Sequence, residues 1–207
     1  MSQTGYPFMF ESILCQVPEY DPAVLDAVIE LAVEIAREGR EGRRIGTLFT
    51  LGDADAVLAR SRPLILDPLA GHAESLRQIN DPNLRGTIKE LAQLDGAFVI
   101  NDAGVVMAAC RYLDTAGAGV EIPLGLGSRH LAAANISSVT GTVGIVVSES
   151  ATVRIFCHGK MVGEIIPELW LLSRREVQMG GTVKQDHVGD LAVITPKTPS
   201  WGVKVEK

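Results

Sequence analysis

The sequence predicts an α/β domain, a mixed-strand central β-sheet flanked by helices, preceded by an N-terminal helical arm. Three observations predict it. Residues 22–38, "PAVLDAVIELAVEIARE", place Val24, Leu25, Val28, Leu31, Ala32 and Ile35 at helical spacing. The middle of the chain carries short runs rich in Val, Ile and Phe, separated by turn residues. Helical segments fall before and between those runs, which is the layering of a sheet covered by helices. The expected organisation is an arm over residues 1–40, a domain over 41–172 and an extension over 173–207.

Each element has its own signals. Asp21 is a plausible N-cap for the first helix, with Pro22 in its first turn and Gly39 at its end. "RRIGTLFTLGD" reads as a strand running into a turn at Gly52-Asp53, and "DADAVLARS" as a short helix or turn. "RPLILDP" is a brief apolar segment closed by prolines. Asp81 and Pro82 announce a helix over 83–94. "GAFVIN" and "GVVMAAC" form a strand pair joined through "NDAG". "SRHLAAANIS" is helical, and "VGIVVSE" is a near-continuous apolar run, as expected of a strand buried on both faces. "TVRIFCHGKMVGEII" is a hairpin turning at His158-Gly159-Lys160. Beyond Ser173 the pattern weakens; "DLAVITP" suggests one more strand, and "KTPSWGVKVEK" a mobile tail.

Composition narrows the function. The 207 residues are 46% hydrophobic and 21% charged, with a net charge of −6, which fits a folded domain and offers no basic face for a nucleic-acid backbone. Cys15, Cys110 and Cys157 lack the paired spacing of a metal site, and two of them lie in apolar runs. No run approaches the roughly 18 apolar residues of a membrane span, and the start lacks the basic region of a signal peptide. The expectation is a cytoplasmic protein without membrane or nucleic-acid partners. HExxH, CxxC, GxSxG and GxxxxGK[ST] are all absent, so zinc hydrolase, dithiol, α/β-hydrolase and P-loop chemistries have no support.

Three stretches carry candidate chemistry. Asp95-Gly96-Ala97 stands at a helix-to-strand corner; the acid is either a solvated corner residue or a carboxylate reaching a hydroxyl or a metal, with small neighbours that let a ligand approach the backbone. In "GLGSRHLAAANIS" a glycine turn ending at Gly127 delivers Ser128, Arg129 and His130 into a helix. A helix N-terminus, a hydroxyl, a guanidinium and an imidazole together favour a polyphosphate; the plainer reading is a serine cap and two surface residues. "VVSES" ends a buried strand in Ser148 and Glu149, which either contact a ligand or terminate the strand as ordinary polar residues.

Taken in order, "LDGAFVINDAGVVMAACRYL", "GLGSRHLAAANIS" and "VVSES" resemble the diadenylate cyclase family, the DisA-type nucleotide-binding domain, from about Arg44 to Pro167. Of its two signature blocks, Asp-Gly-Ala is intact at 95–97, while Arg-His-Arg appears as Arg129-His130 followed by Leu131. The resemblance implies the sheet of that domain and condensation of two ATP into cyclic di-AMP with release of two pyrophosphates. It also implies a divalent metal (Mg²⁺, Mn²⁺ or Co²⁺) and a homo-oligomer in which two active sites face each other. By position, Asp95 belongs beside the 3′-hydroxyl as metal ligand or proton acceptor, and Gly96 and Ala97 line the ribose side. Tyr112 and Leu113 fall where the family contacts adenine. With the arginine missing at Leu131, either the metal carries more of the charge or another cation reaches in; Arg111 is the candidate, its alternative a solvated strand-end residue. Ser128, Arg129 and His130 fall at the phosphates, and Ser148 and Glu149 at the pocket floor. Asn135, Gly141 and Asp114 also depart from the family pattern, which commonly has a glycine, an acid and a proline there. The implied protein is a stand-alone soluble cyclase whose helix 22–38 is available for assembly or autoinhibition. Leu131 favours a different reading, a non-catalytic module that binds ATP or a cyclic dinucleotide; a related nucleotidyltransferase making a mixed or guanine product is a third.

Overall fold

A computed structural model describes residues 20–115 and 119–167, and the backbone of 183–188 and 191–196. The chain divides into two compact units, residues 1–167 and 168–207.

The first unit is built on a seven-stranded sheet. Its strands are β1 (Thr47–Leu51), β2 (Ser61–Pro63), β3 (Ala97–Ile100), β4 (Val106–Leu113), β5 (Val143–Val147), β6 (Val153–Cys157) and β7 (Lys160–Ile165). They lie in the order β2-β4-β3-β1-β5-β6-β7. β1 and β3 run parallel, Leu48 opposite Ala97, and every other neighbouring pair is antiparallel. The sheet is therefore mixed, as the sequence predicts. Strands β1, β3 and β5 are buried at every position, which explains the apolar runs of β3 and β5; β1 also buries Thr47 and Thr50, the Thr50 hydroxyl donating to the Phe98 carbonyl at 3.2 Å.

Among the described residues four α-helices accompany it: α1 (Pro22–Glu38), α2 (Ala54–Ala59), α3 (Pro82–Leu91) and α4 (Ser128–Val139). Asp21 caps α1 by accepting from the Ala23 N–H at 2.8 Å, and Asp81 caps α3 by accepting from Asn83 and Leu84 at 2.7 and 3.1 Å. The third helix ends at Leu91, three residues before the expected Leu94, and residues 92–96 are turns and bends. Helix α1, read from the sequence as an arm, lies in the first unit and packs on β5 and β6 with ten buried residues. Its polar side is tied to α3: Arg85 and Lys89 reach Glu34 at 2.8 and 3.0 Å, and Lys89 reaches Glu38 at 3.0 Å. Burial works to raise the Glu34 carboxyl, but the two cations outweigh it and hold it below its usual range.

Helix α4 lies across β5, β6 and β1. The alternation of strand residues assigns it the face opposite α1. It sits close, because the residues between are small: a Cβ on Gly144 would stand 2.9 Å from the Ala133 Cβ. Ala97, Ala108, Ala133 and Ala134 belong to the same buried cluster.

In the second unit β8 (Val183–Val188) pairs antiparallel with β9 (Leu191–Pro196), Val188 opposite Leu191. The expected strand in "DLAVITP" is β9, and β8 is a strand the pattern did not reveal. The stretch read as a mobile tail lies outside the described residues.

Candidate functional site

A cleft of about 510 Å³ opens between the start of β3, the end of β4 and the first turns of α4. That volume is in the ordinary range for a small-molecule site. The β3 corner contributes Asp95, Gly96 and Ala97; β4 contributes Arg111, Tyr112 and Leu113; α4 contributes Ser128, Arg129, Leu131 and Ala132. Leu48, Leu64 and Thr115 complete the lining.

The N-cap of α4 is Gly127 and no side chain caps the helix. The Gly127 carbonyl accepts the His130 and Leu131 N–H groups at 3.0 and 3.2 Å, so the Ser128 and Arg129 N–H groups have no partner within the helix. Arg129 reaches across the cleft, its Nη2 3.2 Å from Asp95 Oδ1 and its Nη1 3.6 Å from Glu149 Oε1. Both acids are well exposed, so these pairs are weak and easily exchanged for a ligand. Gly46 leaves room for the arrangement. A Cβ there would stand 2.9 Å from Arg129 Nη1 and 3.4 Å from Glu149 Cγ.

His130 is turned away from this cleft. Residues 128, 129, 131 and 132 cover one side of the helix, and at about 100° per residue His130 falls on the other. It is 6% exposed, its ring edge-on to Phe156, with Nε2 3.2 Å from Arg154 Nη1. Arg154 in turn pairs with Glu164 at 2.8 Å. Since Arg154 only donates, Nε2 accepts and the ring proton belongs on Nδ1. Burial, then Arg154 and Arg129, pull the His130 pKa below its usual value, against an opposing pull from the Gly127 carbonyl. A buried neutral imidazole is not placed to grip phosphate as the sequence reading expected. Leu131, the third signature position, does face the cleft as a partly exposed apolar group.

The remaining candidates separate in the same way. Tyr112 lines the cleft with the Arg62 guanidinium 4.6 Å above its ring. Leu113 is buried at its base. Arg111 also lines it, but its Nε donates to Ser61 Oγ at 3.0 Å and its Nη2 to the Ser61 carbonyl at 2.9 Å. Its guanidinium is thus committed to the edge strand β2 rather than extended toward a phosphate. Ser148 and Glu149, expected at the pocket floor, both lie outside the lining: Ser148 accepts from Ser150 in the turn after β5, and Glu149 reaches the cleft only through Arg129. Two departures from the expected pattern have local surroundings that suit them, for Gly141 because a Cβ there would stand 3.5 Å from Asp53 Oδ2, where an acid would meet a like charge. Asn135 Oδ1 accepts from Val120 N at 3.2 Å and fastens the loop ahead of α4; Gly141 N donates to Asp53 Oδ2 at 2.8 Å.

Sequence reading missed Gly46, Leu48, Leu64 and Thr115. An apolar side chain in a strand carries no mark that separates a cleft wall from a core, and a glycine ahead of a strand does not disclose a side chain arriving from 83 residues away. Among the described residues no group of three or more His, Cys, Asp or Glu is assembled for a metal, and no helix is long and apolar enough to cross a membrane.

Comparison with known proteins identifies the family. The family model described as DisA bacterial checkpoint controller nucleotide-binding (DAC) matches residues 34–161, more than half of the chain. A diadenylate cyclase of Methanocaldococcus jannaschii is 50% identical over 155 residues, 74% of this chain and 49% of that protein. A diadenylate cyclase of Haloferax volcanii is 44% identical over 151 residues, 72% of this chain and 55% of that protein. The chain thus spans about half the length of these two relatives. Among solved structures, a double mutant of DacA from Staphylococcus aureus aligns over 72% of this chain and 90% of its own, at 22% identity and a TM-score of 0.45. With its signature corner, its helix N-terminus and the matched span all in one unit, the chain belongs to the DAC family, the DisA-type nucleotide-binding domains.

Proposed function

We propose that this domain is a diadenylate cyclase, condensing two ATP into cyclic di-AMP. The observation that carries the reading is the polarity of the cleft. One wall presents Asp95; the other, reachable by the same ligand, presents Arg129, Ser128 and unpaired N–H groups at a helix N-terminus. That is the polarity required to hold a triphosphate while an acid attends a hydroxyl. Asp95 orients the ribose 3′-hydroxyl and accepts its proton. The 3′-oxygen bonds to the α-phosphorus of the ATP in a second, facing domain, and the bond to the β-phosphate oxygen breaks, releasing pyrophosphate. The reciprocal step closes the ring. An open cleft fits a reaction completed by a second copy, hence a homo-oligomer. Arg129 and Ser128 align the phosphates, and Gly96 and Ala97 admit the ribose against the backbone. Tyr112 and Leu113 stand on the side assigned to the base.

The residues present fit a divalent cation. Asp95 and Glu149 are hard oxygen donors that both approach one guanidinium, so they border a common space, and Mg²⁺ or Mn²⁺ is commonly held by one or two carboxylates together with substrate phosphates. When bound, the ion supplies charge neutralisation on the phosphates. We assign the protein to the cytoplasm, where ATP is available.

Purified protein incubated with ATP and Mn²⁺, followed by mass spectrometry, is expected to yield cyclic di-AMP and pyrophosphate. Asp95→Asn should bind ATP normally and turn over slower by on the order of 10²-fold or more. ATP binding without product in the unmodified chain would favour a binding module instead, and near-normal turnover in the Asn variant would remove the proton role from Asp95.

A further inference from the structure

Strand β4 carries an extra residue opposite Phe98. Ala97 pairs with Arg111 and Val99 with Ala108, so Ala109 and Cys110 together face one residue of β3. Cys110 takes a φ of +55°, a backbone conformation that costs about 1–3 kcal/mol for a residue with a Cβ and persists only where the surroundings impose it. The surroundings here are the segment after β2. Asp67 Oδ2 accepts from Ala109 N at 3.2 Å, and Leu64 N donates to the Cys110 carbonyl at 2.9 Å. Asp67 Oδ1 accepts from Leu69 N at 2.9 Å, which fixes the carboxylate in place.

The other side of the bulge presses on the signature turn. A Cβ on Gly96 would lie 2.5 Å from the Cys110 carbonyl carbon and 2.7 Å from Arg111 N, and Gly96 itself has a φ of +108°. Glycine is required at 96 because the bulge occupies the space of a side chain. The bulge therefore fixes the turn from which Asp95 projects into the cleft. Asp67 does not line that cleft.

We propose that Asp67 is a positioning residue for the reaction: it anchors the Ala109–Cys110 bulge, the bulge holds Gly96, and Gly96 sets the direction of Asp95. As a statement about catalysis this rests on the cyclase reading above. Burial and then the Asp67 carboxylate push the Cys110 thiol up, so the bulge introduces no competing thiolate beside the turn.

The test compares Asp67→Ala and Asp67→Asn with the unmodified full chain, reading both backbone amide NMR and kinetics. In Asp67→Ala the Ala109, Gly96 and Asp95 amide resonances should move while those of Ser128 and Arg129 stay. The kcat for cyclic di-AMP should fall about 10- to 100-fold, the scale of a small misplacement of a reacting group, with KM for ATP unchanged. Asp67→Asn keeps one acceptor oxygen and should fall between; it also carries the test if the Ala variant does not fold. An unmoved Gly96 resonance overturns the proposal. So does a loss of kcat accompanied by a raised KM and displaced Ser128 and Arg129 resonances, which marks general loosening. If the unmodified chain makes no cyclic di-AMP, the cyclase reading fails by itself, and the Gly96 resonance still decides whether Asp67 positions the turn.

Discussion

Helices α1 and α4 cover opposite faces of the same strands, and they do so with different materials. Helix α1 buries Leu25, Val28, Ile29, Leu31 and Ile35, nearly all fully covered. At about 1.5–3 kcal/mol for each large aliphatic side chain, this face is a main source of stability. Helix α4 buries Ala133, Ala134, Ile136 and Ser137 and rests on Gly144. It contributes less apolar area and sits close on the sheet at Gly144. The thick interface holds the fold together. The thin one fixes the distance from α4, which carries Ser128 and Arg129, to the β3 corner, which carries Asp95. An interface of alanines and a glycine has little slack, so it suits a task of alignment.

The largest expected effect tests the first half of that contrast. Leu31 is fully buried in α1, and Leu31→Ala should destabilise the protein by about 2–5 kcal/mol, read from urea or thermal unfolding. The fraction that stays folded should bind ATP with unchanged affinity, because nothing in the cleft moves. A nucleotide affinity that falls in step with stability would show that the α1 face also sets the geometry of the site.

Gly144→Val tests the other half and should act in the reverse proportion. A Cβ at 144 already meets the Ala133 Cβ at 2.9 Å and the Ala133 backbone at 3.2 Å, so the helix must rise. Overpacking of this kind costs about 1–3 kcal/mol. The lift is carried to Arg129, so the protein should lose more in ATP affinity than its stability loss suggests. Equal affinity in a stably folded Gly144→Val protein would mean that the first turn of α4 is positioned by its loop rather than by its seat on the sheet.

The two faces also differ in how well the sequence reveals them. Helix α1 was legible from residues 21 to 39, because a large-aliphatic stripe with Asp21, Pro22 and Gly39 around it has few other solutions. Strand β5 was legible from its near-continuous apolar run, and the signature blocks led to Asp95 and Arg129. The thin face was not legible: Ala133 and Gly144 are small residues whose closeness arises only when the helix is laid on the sheet. His130 shows the same limit. A motif read as a string makes Arg129 and His130 equivalent, whereas a helix places them on different sides. Strand β8 escaped because "VKQDHV" has polar residues through its middle and obtains its order by pairing with β9, not from an apolar pattern.

The smallest effect concerns the one imidazole enclosed beneath α4. His130 is flanked by Arg154 from β6 and Arg129 from its own helix, with Glu164 of β7 beyond Arg154 and the Gly127 carbonyl beside the ring. The net result is a pKa below the ordinary value of about 6.5. The folded protein therefore resists a proton that the unfolded chain accepts. Above about pH 6.5 neither state is protonated at this site and stability is at its full value. As pH falls below 6.5 the unfolded state gains a proton first, so stability declines until the pH reaches the depressed folded value, where the decline from this group ends. His130→Gln keeps an oxygen that can accept from Arg154 and removes the titration. Thermal unfolding measured from pH 7.5 down to about 5.5 should show a shallower decline in His130→Gln than in the unmodified protein, with the two curves nearest in slope above pH 6.5. The effect is local to the thin face, so Leu31→Ala should lower the whole curve and leave its slope alone. Identical slopes in His130→Gln and the unmodified protein would mean that the ring titrates as freely folded as unfolded, and its burial between α4 and the sheet would then have no electrostatic consequence.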